Sequence, residues 1–149
     1  MTYDLFGQAF LDGETAFHEG SAEAVLNVLR PFAVADTLDR GFCHTRTPDG
    51  GEADFYVDLE HGGFMANRFS PGESTELVVR AAASAGLVLL GPDLPAILTD
   101  VSQLGHLPKG VATRSPLPVL VISGAELDGL IAGDGQTYEI CRSRLSSSL

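Results

Sequence analysis

The stretch Glu-Ala-Asp-Phe-Tyr-Val-Asp-Leu at residues 52–59 decides the predicted fold. Two sets of residues alternate along it, an apolar set of Ala53, Phe55, Val57 and Leu59 and a second set of Glu52, Asp54, Tyr56 and Asp58. Successive side chains of a β-strand point to opposite faces, so a period of two is typical of a strand with one buried and one exposed face. We therefore expect the apolar set to pack against helices and the carboxylates to face water.

Two similar runs flank this strand and predict an antiparallel meander. Residues 42–47 and 64–69 have the composition of strands, and turn-forming clusters separate them from residues 53–59. These clusters are Pro-Asp-Gly-Gly at 48–51 and Glu-His-Gly-Gly at 60–63. Because Gly, Pro and Asp favour tight turns, three consecutive antiparallel strands are expected.

Longer helices are predicted at three places in the chain, and Asp100 with Gln103 indicates one or two further helical turns that end at Pro108. Apolar residues at helical spacing predict an amphipathic helix over residues 21–32. Ser70 followed by Glu73 has the pattern of a capping box, which predicts the start of a second helix that Gly86 ends. The same Ser-x-x-Glu pattern at 123–126 predicts the start of a third.

Shorter apolar runs complete the predicted sheet. They lie at residues 3–11, 15–18, 87–90, 96–98 and 119–122. Antiparallel strands interrupted by single helices favour an α+β fold over a doubly wound parallel sheet. We predict a two-layer α+β sandwich with a mainly antiparallel sheet, a central three-strand meander and helices mostly on one face.

The length of 149 residues predicts one domain. We place this domain at residues 1–140 and interpret residues 109–118, which contain two prolines, as a surface connector. Residues 141–149 end in serines and offer little apolar surface, so a flexible C-terminal tail with nothing to pack against is expected.

The charge balance excludes several classes of partner. Twenty acidic residues against nine basic ones give a formal net charge of −11. This negative field repels phosphate backbones and anionic lipids, so neither nucleic acid nor a membrane is expected as a partner. No apolar run approaches the roughly 20 residues that cross a bilayer. Without a recognisable export signal, we expect a cytoplasmic protein whose Cys43 and Cys141 are reduced.

The exposed face of the central strand is the candidate site. Glu52, Asp54, Tyr56 and Asp58 would project to one side about 7 Å apart. As a binding surface, this acidic stripe would take a basic partner or a divalent cation; as a solvated face, it would only protect the sheet from aggregation. Arg68, at the end of the third strand, is expected to pair with Asp54 or Asp58 across the sheet, or to bind an anion.

Signatures of enzymes are missing or incomplete. The chain lacks the glycine-rich phosphate and dinucleotide motifs and the common hydrolase motifs, and we predict no cofactor. A two-residue turn at Asp49-Gly50 would place His44 opposite Phe55, hence in the core. Asp100, Ser102 and His106 lie within seven positions of one another, which is a poor arrangement for a catalytic triad.

Several stretches resemble a group of known proteins. They are Gly-Gly-Glu-Ala-Asp-Phe-Tyr at 50–56, Gly-Phe-Met-Ala-Asn-Arg-Phe at 63–69, Leu-Thr-Asp at 98–100 and His-Leu-Pro at 106–108. These stretches resemble those of small acidic bacterial proteins of unassigned function, and in size and charge the chain is similar to the immunity proteins of toxin systems. That resemblance implies a non-enzymatic role. Immunity proteins are often small, acidic, cytoplasmic α+β domains that block basic nucleases through charge complementarity.

We therefore expect a cytoplasmic, non-enzymatic binding module for a basic protein partner. An uncovered sheet face or edge would also allow a homodimer. The alternative is a small enzyme or metal-binding domain that uses Asp54, Tyr56 and Asp58 together with a histidine.

Overall fold

The predicted meander forms one end of a larger sheet. The computed structural model of the chain describes residues 3–34 and 38–148, apart from the side chain of residue 39. Eight strands lie in this part of the chain: β1 (Leu5–Leu11), β2 (Glu14–Ala16), β3 (Phe42–Arg46), β4 (Glu52–Val57), β5 (Phe64–Asn67), β6 (Val88–Leu90), β7 (Ile97–Leu98) and β8 (Val119–Leu120). The sheet order is β3-β4-β5-β1-β6-β7-β8, with β2 paired to β1. All pairs are antiparallel except β7 with β8.

The helices lie mostly on one face of this sheet. They are α1 (Ser21–Leu29), α2 (Glu73–Ser84), α3 (Lys109–Ala112), α4 (Gly124–Ile131) and α5 (Gly135–Ser147), with 3-10 turns at Arg30–Phe32, Leu38–Arg40 and Val101–His106. The α2 helix contacts both α1 and α4, and the three form the main helical layer. The predicted α+β sandwich with a mainly antiparallel sheet is therefore confirmed.

The main core fills the space between the helical layer and the sheet. Phe55 is fully buried there, and its ring lies 5.8 Å from that of Phe64. Ala53 and Val57 are buried in the same cluster, as the alternation predicts. Leu59 is 47% exposed, and its predicted burial is wrong because β4 ends at Val57 and the chain turns away from the sheet.

A second, smaller core covers only half of the opposite face. It is built from Val88, Leu98 and Leu120 on the last strands, with Leu107 and Leu145 packed over them. The 3-10 turn at Val101–His106 and the short α3 helix lie against this end of the sheet. None of the described helices packs over the β3-β4-β5-β1 half of the same face, which we call its uncovered half.

The start of α2 differs from the prediction. The N-cap residue is Gly72, and the helix begins at Glu73. The φ of Gly72 is 100°, a left-handed value that keeps the preceding residues out of the helix. Ser70 is therefore not the cap, and its hydroxyl accepts a hydrogen bond from the backbone N–H of Glu52. Gly86 ends the α2 segment with a φ of 66°, as predicted.

The C-terminal segment is a packed helix. The prediction of a flexible tail with nothing to pack against is wrong, because α5 spans most of it and buries Cys141 and Leu145. The spacing of four residues places these two side chains on the same face of the helix. Arg144 donates hydrogen bonds to the backbone oxygen of Leu120 and to both carboxylate oxygens of Glu126. These contacts fix α5 against β8 and α4.

Candidate functional site

A row of mainly apolar side chains crosses five strands, from β3 to β6, on the sheet face opposite the main core. Directly opposite partners in neighbouring strands lie on the same face, and in sheet order they are Phe42, Tyr56, Met65, Phe6 and Leu90. We call this set the apolar row. The rings of Phe42 and Tyr56 lie 5.0 Å apart, while Phe6 and Tyr56 are 47% and 44% exposed. The uncovered face therefore has a hydrophobic centre.

His44 lies beside the apolar row and not in the core. Its direct partner is Asp54, whereas Cys43 lies opposite Phe55, so the predicted register is wrong by one residue. The cause is the loop between β3 and β4. The backbone N–H of Thr47 donates to the backbone oxygen of Gly51 across a loop of three residues, 48–50, in place of the expected two-residue turn. A shift of one residue moves every side chain of a strand to the other face.

Two carboxylates hold the His44 ring. Nδ1 lies 2.5 Å from Oδ1 of Asp54, and Nε2 lies 3.0 Å from Oε1 of Glu52. Arg46 also contacts Glu52, with Nη2 at 3.1 Å from Oε1. Hydrogen bonds to Asp54 and Glu52 raise the pKa of His44, and the hydrogen bonds from His44 and Arg46 lower the pKa of Glu52.

This cluster changes the interpretation of the acidic stripe. Asp54 is buried, and its partner His44 and the Arg46 guanidinium offset its charge and that of Glu52. Both nitrogens of the His44 ring are engaged by carboxylates, so neither is free to take a proton from a substrate. The arrangement is that of an ion-pair cluster at the edge of the sheet.

Asp58 holds the turn that follows β4. Its Oδ1 accepts hydrogen bonds from the backbone N–H groups of Glu60 and His61, and its Oδ2 lies 3.0 Å from Nδ1 of His61. These hydrogen bonds lower the pKa of Asp58. Its side chain is 49% exposed, so it still contributes negative charge at the border of the apolar row.

Arg68 lies away from the stripe. Within the described residues it forms an ion pair with neither Asp54 nor Asp58, in contrast to the expectation. The β5 strand ends at Asn67, and the φ of 52° at Arg68 turns the chain out of the sheet. Asn67 is the residue that faces Asp54, and its buried Oδ1 has no hydrogen-bond partner in the described part of the chain.

A separate groove of about 590 Å³ contains the residues weighed above as a catalytic triad. Its lining includes His18, Asp100, Ser102 and His106. The hydroxyl of Ser102 donates to Oδ1 of Asp100 at 2.6 Å. Nδ1 of His106 accepts from the backbone N–H of Asp12. In a serine triad the serine contacts the histidine, which in turn contacts the aspartate. Here Ser102 is hydrogen bonded to the carboxylate and not to the histidine, so the three residues do not have the arrangement of a triad.

Residues 3–34 and 38–148 contain no group of three His, Cys, Asp or Glu side chains placed to hold a metal ion. In the His44 cluster the two carboxylates contact different ring nitrogens and do not converge on one point. Over the same described ranges, none of the helices has the length and apolar character needed to span a membrane. Comparison of the chain with models of protein families, with curated proteins and with solved structures found no match.

The apolar row is the part of this site that sequence reasoning missed. Phe6, Phe42 and Met65 all lie in predicted strands. One local signal was available, since Phe6 and Phe10 alternate with small residues in β1 and place large apolar side chains on the face away from Leu5. The alignment of the row depends on β1 lying between β5 and β6, which no local pattern indicates.

Proposed function

We propose that this protein is a non-enzymatic binding module whose uncovered sheet face docks a basic protein partner. The observation that carries the proposal is the apolar row, which leaves Phe6 and Tyr56 half exposed on the part of the sheet face that no described helix covers. Aromatic residues and methionine are enriched at the centres of protein interfaces. A surface of this composition gains free energy when a partner removes it from water.

The charges around the row favour a basic partner. Asp58 borders it with a half-exposed side chain, and Glu60 follows in the adjoining turn. The whole chain carries a net charge of −11. Complementary charge accelerates association, whereas a second copy of the same chain would bring like charge to the contact. A basic protein therefore fits this face better than a homodimer does.

In its most specific form, the proposal is an immunity-like role in the cytoplasm. The partner would then be a basic toxin, and the acidic border would steer its approach while Tyr56 and Phe6 supply most of the contact energy. The size and charge of the chain support this form.

The test begins with the wild-type protein immobilised in a lysate of the organism that encodes it. Proteins retained at low salt and released at about 0.5 M salt are identified by mass spectrometry, since salt screens charge attraction. An identified basic protein is then purified, and its dissociation constant is measured by surface plasmon resonance. Retention of only acidic or salt-insensitive proteins would contradict the proposal.

Variants then locate the interface on that purified partner. Tyr56→Ser and Phe6→Ser should each weaken binding about tenfold, as expected for aromatic residues at the centre of an interface. Glu60→Lys should slow association. Ile140 is 50% exposed on α5, so Ile140→Ser and Glu139→Lys make the same kinds of change elsewhere and should leave binding within about twofold. Equal losses of affinity in the variants of the sheet face and in those of α5 would show that the partner does not bind at the apolar row.

Sedimentation velocity separates the homodimer from this proposal. The wild-type protein should sediment as a monomer, and Tyr56→Ser should not change its sedimentation coefficient. A dimer that Tyr56→Ser dissociates, but Ile140→Ser does not, would assign the apolar row to self-association and overturn the basic partner.

A further inference from the structure

A second cavity lies in the helical layer, away from the uncovered sheet face. Its volume is about 400 Å³, and it lies between the start of α2 and the end of α4. Apolar and aromatic side chains form most of its wall, and the lining residues are Tyr3, Phe69, Pro71, Thr75, Asp128, Ile131 and Ala132. Cavities of this size, mainly apolar and with few polar groups, are typical of small-molecule sites.

Most of the polar groups at this cavity are already engaged. The Tyr3 hydroxyl donates to the backbone oxygen of Pro92, and the Thr75 hydroxyl donates to the backbone oxygen of Gly72 at 2.8 Å. Burial and the neighbouring Asp93 carboxylate raise the pKa of Tyr3, so it is a neutral phenol at physiological pH. The cavity is therefore preformed, and its hydroxyls already have partners within the protein.

Asp128 is the exception among the lining residues. It alone of them carries a charge. Its Oδ2 accepts a hydrogen bond from the backbone N–H of Gly72 at 2.9 Å, while its Oδ1 makes no hydrogen bond to the described residues. A carboxylate oxygen without a partner, beside an apolar cavity, favours a ligand that brings a charged donor.

We propose that this cavity binds a small organic cation, an aromatic or aliphatic group carrying a protonated amine. The apolar group packs between Phe69 and Ile131, and the ammonium donates to Oδ1 of Asp128. The cavity volume suits a ligand of about ten non-hydrogen atoms. None of the lining residues belongs to the apolar row, so this site is independent of the proposed docking face.

The test compares three probes of similar size by two-dimensional NMR titration of the full chain. The probes are 2-phenylethylamine, the neutral 2-phenylethanol and the anionic phenylacetate. We expect 2-phenylethylamine to bind with a millimolar dissociation constant and to shift the amide signals of residues 128–132. The alcohol should bind about fivefold more weakly, because it lacks the charge-assisted hydrogen bond, and phenylacetate should not bind.

Two variants and a control test the assigned contacts. Asp128→Asn keeps an acceptor for Gly72 and should weaken the amine about fivefold while changing the alcohol less than twofold. Ala132→Phe adds a ring at an exposed position of the wall and should weaken both probes. Glu139→Gln removes one charge from exposed α5 surface and should change neither. The spectrum of each free variant reports whether it is folded.

Three results would overturn the proposal. One is the absence of shifts at residues 128–132 with any probe. Another is equal binding of amine and alcohol, since the carboxylate would then have no role. The third is an equal loss of amine affinity in Asp128→Asn and Glu139→Gln, which would indicate nonspecific attraction by the net charge.

Discussion

His44 and Asp54 face each other across β3 and β4, with Nδ1 of the histidine 2.5 Å from Oδ1 of the aspartate. On the other side of the same ring, Glu52 accepts from Nε2. Hydrogen bonds to two carboxylates stabilise the imidazolium form, and for this reason the pKa of His44 is raised. The strand at the edge of the sheet is therefore tied to its neighbour by an ion pair that depends on pH.

The first prediction concerns this dependence. Because the pKa of His44 is higher in the folded protein than its ordinary value of about 6.5, its stabilising contribution is fully present below that value. It is lost as the pH rises through the raised pKa. The difference in free energy of unfolding between wild type and His44→Gln should therefore be largest near pH 6 and shrink toward pH 9. Urea denaturation at several pH values measures it.

A matched histidine provides the control for this prediction. His18 is exposed and forms no ion pair within the described chain, so His18→Gln should have only a small effect on the free energy of unfolding. NMR titration of the His44 ring gives its pKa directly. A midpoint at or below the ordinary value would contradict the proposed ion pair.

The second prediction concerns Asp49, which caps α2 from a distant loop. Its Oδ2 accepts from the backbone N–H of Glu73, and its own N–H donates to Oε2 of Glu73. Its Oδ1 accepts from the Thr47 hydroxyl and from the Gly51 N–H. These hydrogen bonds lower the pKa of Asp49 to about 2, and the one from Thr47 has the largest effect. The loop between β3 and β4 is thus held to the start of α2.

We expect Asp49→Ala to lower the melting temperature at pH 7. The lowered pKa makes the contribution of Asp49 fully present above the ordinary carboxyl value of about 4, and it is lost as the pH falls toward 2. Circular dichroism melts over this range should show the wild-type and Asp49→Ala curves converging in acid. Glu19→Ala removes an exposed carboxylate elsewhere and is the control. Equal melting temperatures for the two variants at pH 7 would show that the cap is not stabilising.

The third prediction concerns the C-terminal helix. Leu145 is fully buried, with 0% of its surface exposed, and it packs with Leu98 and Leu120. Leu145→Ala should lower the free energy of unfolding by about 2–4 kcal/mol, as in other buried leucines. Ser146→Ala, next to it on the helix, should change it by less than about 0.5 kcal/mol. Urea denaturation distinguishes the two. A small loss at Leu145 would restore the flexible tail predicted from the sequence.

Local patterns predicted the elements of the fold well. The alternation around Phe55 identified β4 and its buried face, and Ser123 caps α4 as its spacing to Glu126 indicates. Such features depend on residues within a few positions of one another. The apolar pair Cys141 and Leu145 is an equally local signal for a packed helix. It lies in a strongly polar, serine-rich segment, which masks the helical pattern in the sequence.

Register and long-range contacts could not be predicted in the same way. A two-residue turn at Asp49-Gly50 and the observed three-residue loop suit the same sequence, yet they place His44 on opposite faces. Asp49 caps a helix that begins 24 positions later, so no window around Ser70 reveals it. The prediction of the candidate site depended on the strand register. The sequence therefore identified the acidic stripe but placed His44, whose charge offsets that of the stripe, in the core.

The fourth prediction concerns Gly124, where α4 meets α2. A Cβ atom at this glycine would overlap the backbone nitrogen and Cα of Glu76 and lie 2.8 Å from the carbonyl carbon of Thr75. Backbone atoms of a packed helix cannot move aside cheaply, so Gly124→Ala should lower the free energy of unfolding by about 1–3 kcal/mol. Gly110, in α3, has nothing within 4 Å of its would-be Cβ, and Gly110→Ala should be neutral or stabilise by up to about 1 kcal/mol, because alanine favours helix. Parallel urea denaturation of the two variants measures the difference, and a Gly124→Ala protein as stable as Gly110→Ala would show that the two helices do not pack this closely.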